Sequence, residues 1–145
     1  MHEVVYWDPD ERFIYADTGK TNSKMHNVRQ FYNGHQYDSG FEAKYAMRLD
    51  YLLKAGEIKS WIPHKLLDLF VSGHRIGTYR IDFVVTHNDG SLEYVEVKGM
   101  ESAYWRQKWK IFEIDYNARF PDAKLTVVKQ RKKSYRRKRR GFKKH

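Results

Sequence analysis

The sequence contains no cysteine. That removes disulfides, thiolate zinc sites and cysteine nucleophiles together. It has no run approaching the roughly 18 apolar residues that a membrane span needs. Its first residues, "MHEVVYWDPDER", lack the basic-then-apolar pattern of a signal peptide, so an intracellular, cytoplasmic protein with no membrane partner is expected. Internal repeats are absent. Acidic residues are missing from one place in particular: residues 131–145, "RKKSYRRKRRGFKKH", hold ten Lys or Arg and no Asp or Glu. Of the chain's 28 Lys and Arg, the 18 outside this tail equal its 18 Asp and Glu, so the body is formally neutral and the net +10 resides in the tail. Such a block repels itself and is expected to be disordered on its own. The plain reading is a solubilising tail or an address signal, but ten cations confined to one end exceed what solubility requires. A polyanion-binding arm is favoured, with Arg131, Lys132, Lys133, Arg136 and Arg137 to meet phosphates and Tyr135 and Phe142 available to stack on bases. The tail implies affinity and says nothing about chemistry.

What remains is enough for one domain with a real core. Residues 3–7 and 12–16 flank Asp8-Pro9-Asp10-Glu11 and read as a hairpin, and Asn33-Gly34 signals a second short β pair. In "DSGFEAKYAMRLDYLLKAGE", Ser39 is a good N-cap and Gly56 a good C′ residue. Phe41, Tyr45, Leu49, Leu52 and Leu53 form that helix's apolar stripe. Residues 59–70 and 78–86 read as strands joined through Ser72-Gly73 and Gly77. "YVEVKG" (94–99) closes a third strand with a buried valine face. A second helix spans about 102–117, with Trp105, Trp109, Phe112 and Tyr116 along one side as core, and "KLTVVK" is a last strand. The expected fold is α/β (α+β), a mixed central sheet flanked by helices. Residues 1–130 form one domain, with 1–34 an N-terminal β extension and 35–130 the core.

Chemistry enters through one turn. If Asn88-Asp89-Gly90 is a three-residue loop with glycine at the left-handed position, Val85 faces Glu93 and Asp82 faces Glu96. Opposed residues share a face about 5 Å apart, so two carboxylates lie side by side in apolar surroundings, with Lys98 one step along. A proton, Lys98 or a bound cation must offset their repulsion. Glu42 is a third acid. It stands three residues after Ser39, as in a capping box, yet beside the core stripe where it can look towards the sheet. Carboxylate oxygens suit Mg²⁺, which can activate water and stabilise charge on a phosphate. Lys98 can assist, or can simply pair with Glu96. Lys44, Arg80, Arg106, Lys108 and Lys110 are candidate DNA-phosphate contacts. His87 and Asn88 resemble part of an HNH motif, but without its ββα-metal context they read as turn residues.

Asp82, thirteen residues, then Glu96-Val97-Lys98 resembles the D…(D/E)xK signature of the PD-(D/E)XK nuclease superfamily. The helix glutamate in "SGFEAKYA" is similar to the acid that many members carry on their first core helix. The order α-β-β-β-α-β also resembles that restriction-endonuclease-like core, over about residues 35–130. Ile81 replaces the motif's proline, which varies widely. Within the superfamily the chain looks like small phage nucleases of the Holliday-junction resolvase and endonuclease I type. The resemblance implies that Asp82, Glu96 and the Val97 carbonyl bind Mg²⁺, with Mn²⁺ able to substitute. It implies Glu42 as a ligand directly or through water, and Lys98 as the residue that positions or activates water. The expected function is a phage endodeoxyribonuclease acting on four-way DNA junctions as a homodimer. The alternatives are a restriction-type, nicking or degrading nuclease, and a non-enzymatic DNA-architectural protein.

Overall fold

The computed structural model describes residues 1–9, 30–32 and 34–131. Its centre is a five-stranded mixed sheet in the order β1-β9-β8-β7-β4. Strand β1 (Glu3–Trp7) runs parallel to β9 (Lys124–Gln130), and β9 runs parallel to β8 (Leu92–Lys98). Strand β8 is antiparallel to β7 (Phe83–Thr86), and β7 to β4 (Ser60–Pro63). Among the described residues no helix is long and apolar enough to cross a membrane.

Each face of the sheet carries one helix. Phe83, Val85, Val95, Val97 and Val128 pack with Tyr45, Ala46 and Leu49 of α1 (Gly40–Lys54). Val84, Tyr94, Leu125 and Val127 pack with Trp109, Phe112 and Tyr116 of α2 (Ala103–Arg119). Both faces of β8 are therefore buried, not its valine face alone, which corrects the sequence reading. Its apolar alternation is hidden because Tyr94 packs under α2 as Val95 packs under α1.

Helix α1 begins as expected: Ser39 Oγ accepts the Glu42 N–H at 3.2 Å. It ends at Ala55, followed by Gly56 at φ +74°. Of its stripe, Tyr45 and Leu49 are buried and Phe41 and Leu52 partly so, whereas Leu53 is 37% exposed because the last turn runs past the core. The expected β pair around Asn33-Gly34 forms as β2 (Gln30–Tyr32) and β3 (His35–Tyr37).

Two elements depart from expectation. Strand β1 joins the main sheet as an edge strand, and its expected hairpin partner, 12–16, lies outside the described residues. The strands expected over 59–70 and 78–86 are one long ribbon broken across its middle. Ser60 opposes Thr86 and Leu66 opposes Arg80, one register on both sides of the break. Beyond it, β5 (Leu66–Val71) and β6 (His74–Arg80) leave the main sheet as a separate two-stranded sheet, turned at Ser72-Gly73 with both φ positive. The bend lets Leu67, Leu69 and Tyr79 curl over α2 into its core. It occurs at His64, held at φ +57°, and at Ile81-Asp82. His64 N–H donates to Asp82 O at 2.9 Å and Ile81 N–H to Lys65 O at 3.1 Å, stitching the break.

Candidate active site at the ribbon break

The turn that sets the site forms as its sequence implies. Gly90 has φ +88°, its N–H reaches His87 O at 2.9 Å, and His87 N–H reaches Ser91 O at 2.9 Å. Val85 pairs with Glu93 and Phe83 with Val95. One step further, Asp82 stands opposite Glu96.

The break changes what this step means. Hydrogen-bonded pairs alternate along an antiparallel ladder, so from His87–Ser91 the next such pairs are Val85–Glu93, Phe83–Val95 and Ile81–Val97. Ile81 is bent away, however, and its N–H goes to Lys65. The Val97 N–H instead donates to Asp82 Oδ2 at 2.8 Å. The Asp82 carboxylate thus fills the gap left in the ladder, and the Val97 carbonyl has lost its ladder donor. Asp82 and the backbone of Val97 meet because the ribbon leaves the sheet there.

Glu96 is buried, at 4% exposure. Its Oε1 accepts from Trp105 Nε1 at 3.2 Å and lies 3.7 Å from Lys98 Nζ. Its Oε2 is buried and has no hydrogen-bond partner among the described residues. Burial, with the neighbouring Asp82 charge, pushes the Glu96 carboxyl up to about 8. Burial, with Glu42, pushes Asp82 up similarly, against the Val97 N–H and Lys98. The Lys98 ammonium also lies 5.2 Å from the Trp105 ring centroid. The three site residues open into a cavity of about 230 Å³, shared with Asp38, Tyr79, Arg80, Trp105 and Lys108. An apolar groove of about 660 Å³ between β5–β6 and α2 is larger. Chemistry, not size, singles out the smaller one.

The structure brings Asp82, Glu96 and Lys98 together and leaves Glu42 in a separate contact. Glu42 is buried in the first turn of α1, and its Oε1 lies 2.7 Å from His64 Nε2. Half of the capping box forms, through Ser39. Burial, Asp38 and Glu96 push the Glu42 carboxyl up to about 7, so it feels the pair electrostatically. Among the described residues no three His, Asp or Glu side chains converge closely enough to hold a metal ion as they stand. The donor set at the break is two carboxylates and a main-chain carbonyl.

Of the candidate phosphate contacts, Arg80 and Lys108 line the cavity, and Arg106 and Arg131 line an adjoining cleft. Lys110 is exposed on α2 and Lys44 half-buried on α1. Lys132, Lys133, Arg136 and Arg137 lie outside the described residues. Sequence reasoning missed Asp38, His64 and Tyr79, which chain spacing does not signal. Trp105 packs against the α2 core as expected, stacked on Trp109, and its indole N–H also turns back onto Glu96, which the sequence did not signal.

No curated protein and no solved structure matches the chain. Residues 22–136 match the model of the family described as "Protein of unknown function (DUF1064)", and the chain belongs to that family.

Proposed function

We propose that this protein is a metal-dependent endodeoxyribonuclease that hydrolyses phosphodiester bonds in branched DNA. The observation that carries this reading is the buried Glu96 Oε2, without a hydrogen-bond partner among the described residues, beside the half-buried Asp82 carboxylate. An orphaned buried carboxylate oxygen is costly and needs a proton or a cation. The site's donors are all hard oxygens, which suit Mg²⁺ or Mn²⁺. Asp82, Glu96 and the Val97 carbonyl would hold the ion, with Glu42 a further ligand directly or through water. When bound, such an ion supplies activation of a water and stabilisation of charge on the phosphate.

The chain's own groups do the rest. Trp105 fixes Glu96 Oε1 through its indole N–H, and the Val97 N–H fixes Asp82 Oδ2, so neither carboxylate needs to reorganise. Lys98, 27% exposed and tethered between Glu96 and the Trp105 face, presents a cation at the cavity mouth. There it can orient the attacking water or meet the phosphate oxygen. Arg80 and Lys108 on the cavity wall suit the flanking phosphates.

Preference for the four-way junction, action as a homodimer and an intracellular, phage-encoded setting rest on the resemblance to small phage resolvases. Two coordinated cuts require two sites. The test is a synthetic four-way junction beside a matched linear duplex, each with Mg²⁺ or chelator, for wild type and Asp82→Asn. Paired symmetric cuts in the junction, lost in the variant, are expected. Equal cutting of the linear duplex would replace junction selectivity with a general nuclease. Binding without metal-dependent cleavage would leave a DNA-architectural protein.

A further inference from the structure

Beside the carboxylate cavity lies a cleft of about 590 Å³ whose walls include Tyr6, Lys98, Glu101, Arg106, Lys129 and Arg131. Its floor follows from register. Lys98 of β8 pairs with Lys129 of β9, and Lys129 with Tyr6 of β1. Tyr94, Leu125 and Val127 pack beneath α2, so alternation puts Glu96, Lys98, Lys129 and Tyr6 on that same face. They form a row that leads from the carboxylates towards the sheet edge. Lys98 lines both the cavity and the cleft.

Across this row lies one acid, Glu101, in the loop between β8 and α2. Its two oxygens are divided between cations of different elements: Oε1 meets Lys129 Nζ at 2.7 Å, and Oε2 accepts from Arg106 Nε at 3.1 Å. A carboxylate bridging two cations occupies the donors that a phosphate would use. The Arg106 side chain is 64% exposed, so its pairing with Glu101 is one that solvent and a competing anion can reach. Tyr6, 65% exposed, ends the row with an open aromatic face.

We propose that this cleft seats the backbone phosphate next to the one cut, that Glu101 fills the seat in the free protein, and that the incoming strand displaces it. Lys129 and Arg106 then pass from the carboxylate to the phosphate, and Tyr6 offers its ring to the adjoining base. The strand runs over Lys98 from one site to the other. The seat rests on the nuclease reading only for what the neighbouring phosphate is.

The test is a double-mutant cycle on DNA binding by the full chain, in chelator so that nothing is cut, with a short fluorescent single strand as probe. Glu101→Gln should tighten binding about tenfold, since it removes a competing charge. It should also steepen the salt dependence by about 0.7 in slope, one more counterion being released. Lys129→Gln should weaken binding, and in the Glu101→Gln/Lys129→Gln variant most of the gain should vanish. Inorganic phosphate at millimolar concentration should compete better against Glu101→Gln than against the double variant. A gain that survives loss of Lys129 would be a general charge effect and would overturn the seat. So would unchanged or weaker binding by Glu101→Gln, which would make Glu101 a loop clamp. Metal-dependent cleavage with a flat cycle removes the seat and leaves the nuclease. The expected cycle without cleavage does the reverse.

Discussion

Helix α2 covers buried acids at both of its ends, and the two ends treat them differently. Towards its C-terminus, Asp115 takes Arg119 Nε at 2.7 Å, Arg119 Nη2 at 2.8 Å and the Phe70 N–H at 3.0 Å. Arg119 holds its carboxyl below the usual range. Midway, Glu113 is met by Trp109 Nε1 at 3.0 Å and by His2. Towards the N-terminus, Glu96 receives the Trp105 indole N–H with the Tyr79 hydroxyl close by, and beside Asp82 it keeps an oxygen without a hydrogen-bond partner among the described residues. A buried acid with its donors in place is architecture. One that the fold leaves unsatisfied is the candidate for chemistry, since the native state tolerates its cost only where something else meets it.

Removing the charge at each end should give opposite results, and this is the largest effect expected. Glu96→Gln or Asp82→Asn should lower cleavage by about 10²–10³-fold or more, on the scale of losing one well-placed catalytic group. The same changes should leave the denaturation midpoint unchanged or higher, because they relieve like-charge repulsion. Asp115→Asn should leave cleavage within a few-fold and cost about 1–3 kcal/mol, as the Phe70 N–H and Arg119 lose their acceptor. Cleavage rates and denaturant midpoints on the same samples decide it. A destabilised Glu96→Gln beside a neutral Asp115→Asn would reverse the distinction.

The ends were not equally legible in the sequence. The Asp82–Glu96 pair could be read because Asn88-Asp89-Gly90 sets a register through three local residues, and local turn chemistry is what a sequence states most directly. Helix α1 was legible at Ser39 and Gly56 for the same reason. The break in the ribbon was not: His64 adopts φ +57° without being glycine, and nothing in the alternation of 59–70 says that its second half curls over α2. Strand β1 pairs with a strand more than a hundred residues away, a contact that no local pattern encodes. The sequence thus placed the carboxylates side by side, whereas what takes the ladder donor from the Val97 carbonyl and seats Asp82 in the ladder is tertiary.

The same contrast should appear in pH, as a smaller effect. The Glu96 and Asp82 carboxyls are pushed up to about 8, first by burial and then by a neighbouring acid, Asp82 for Glu96 and Glu42 for Asp82, from unfolded values near 4. The folded state then binds more protons than the unfolded one between those limits. Stability from this site is therefore present below about pH 4 and is lost as pH rises towards about 8. Asp115 has the opposite sign: its contribution is present above about pH 4 and is lost in acid. Without divalent ions, the melting temperature should fall from pH 5 to pH 8, and Glu96→Gln should flatten that fall. Millimolar Mg²⁺ should restore stability at pH 8 in the wild type, through binding to the folded state alone, and not in Glu96→Gln. A wild-type melting temperature that rises over this range would mean that the pair is solvated and the comparison is wrong.

Glu42 is the intermediate case and gives the smallest expected effect. It is buried like Glu96, but one oxygen has a partner in His64. His64→Gly removes that partner, which costs about 1–3 kcal/mol when a buried carboxylate is left behind. It also relieves a non-glycine residue from the left-handed region, which returns about 1–2 kcal/mol. The two nearly cancel, so a net loss below about 1 kcal/mol is expected. If His64 only positions Glu42 behind the carboxylate pair, cleavage should fall less than tenfold, and the concentration of Mg²⁺ giving half-maximal rate should rise. Should cleavage instead collapse as far as in Asp82→Asn while stability holds, the Glu42–His64 contact belongs to the reacting centre. The line between satisfied and unsatisfied acids would then have to be drawn on the other side of Glu42.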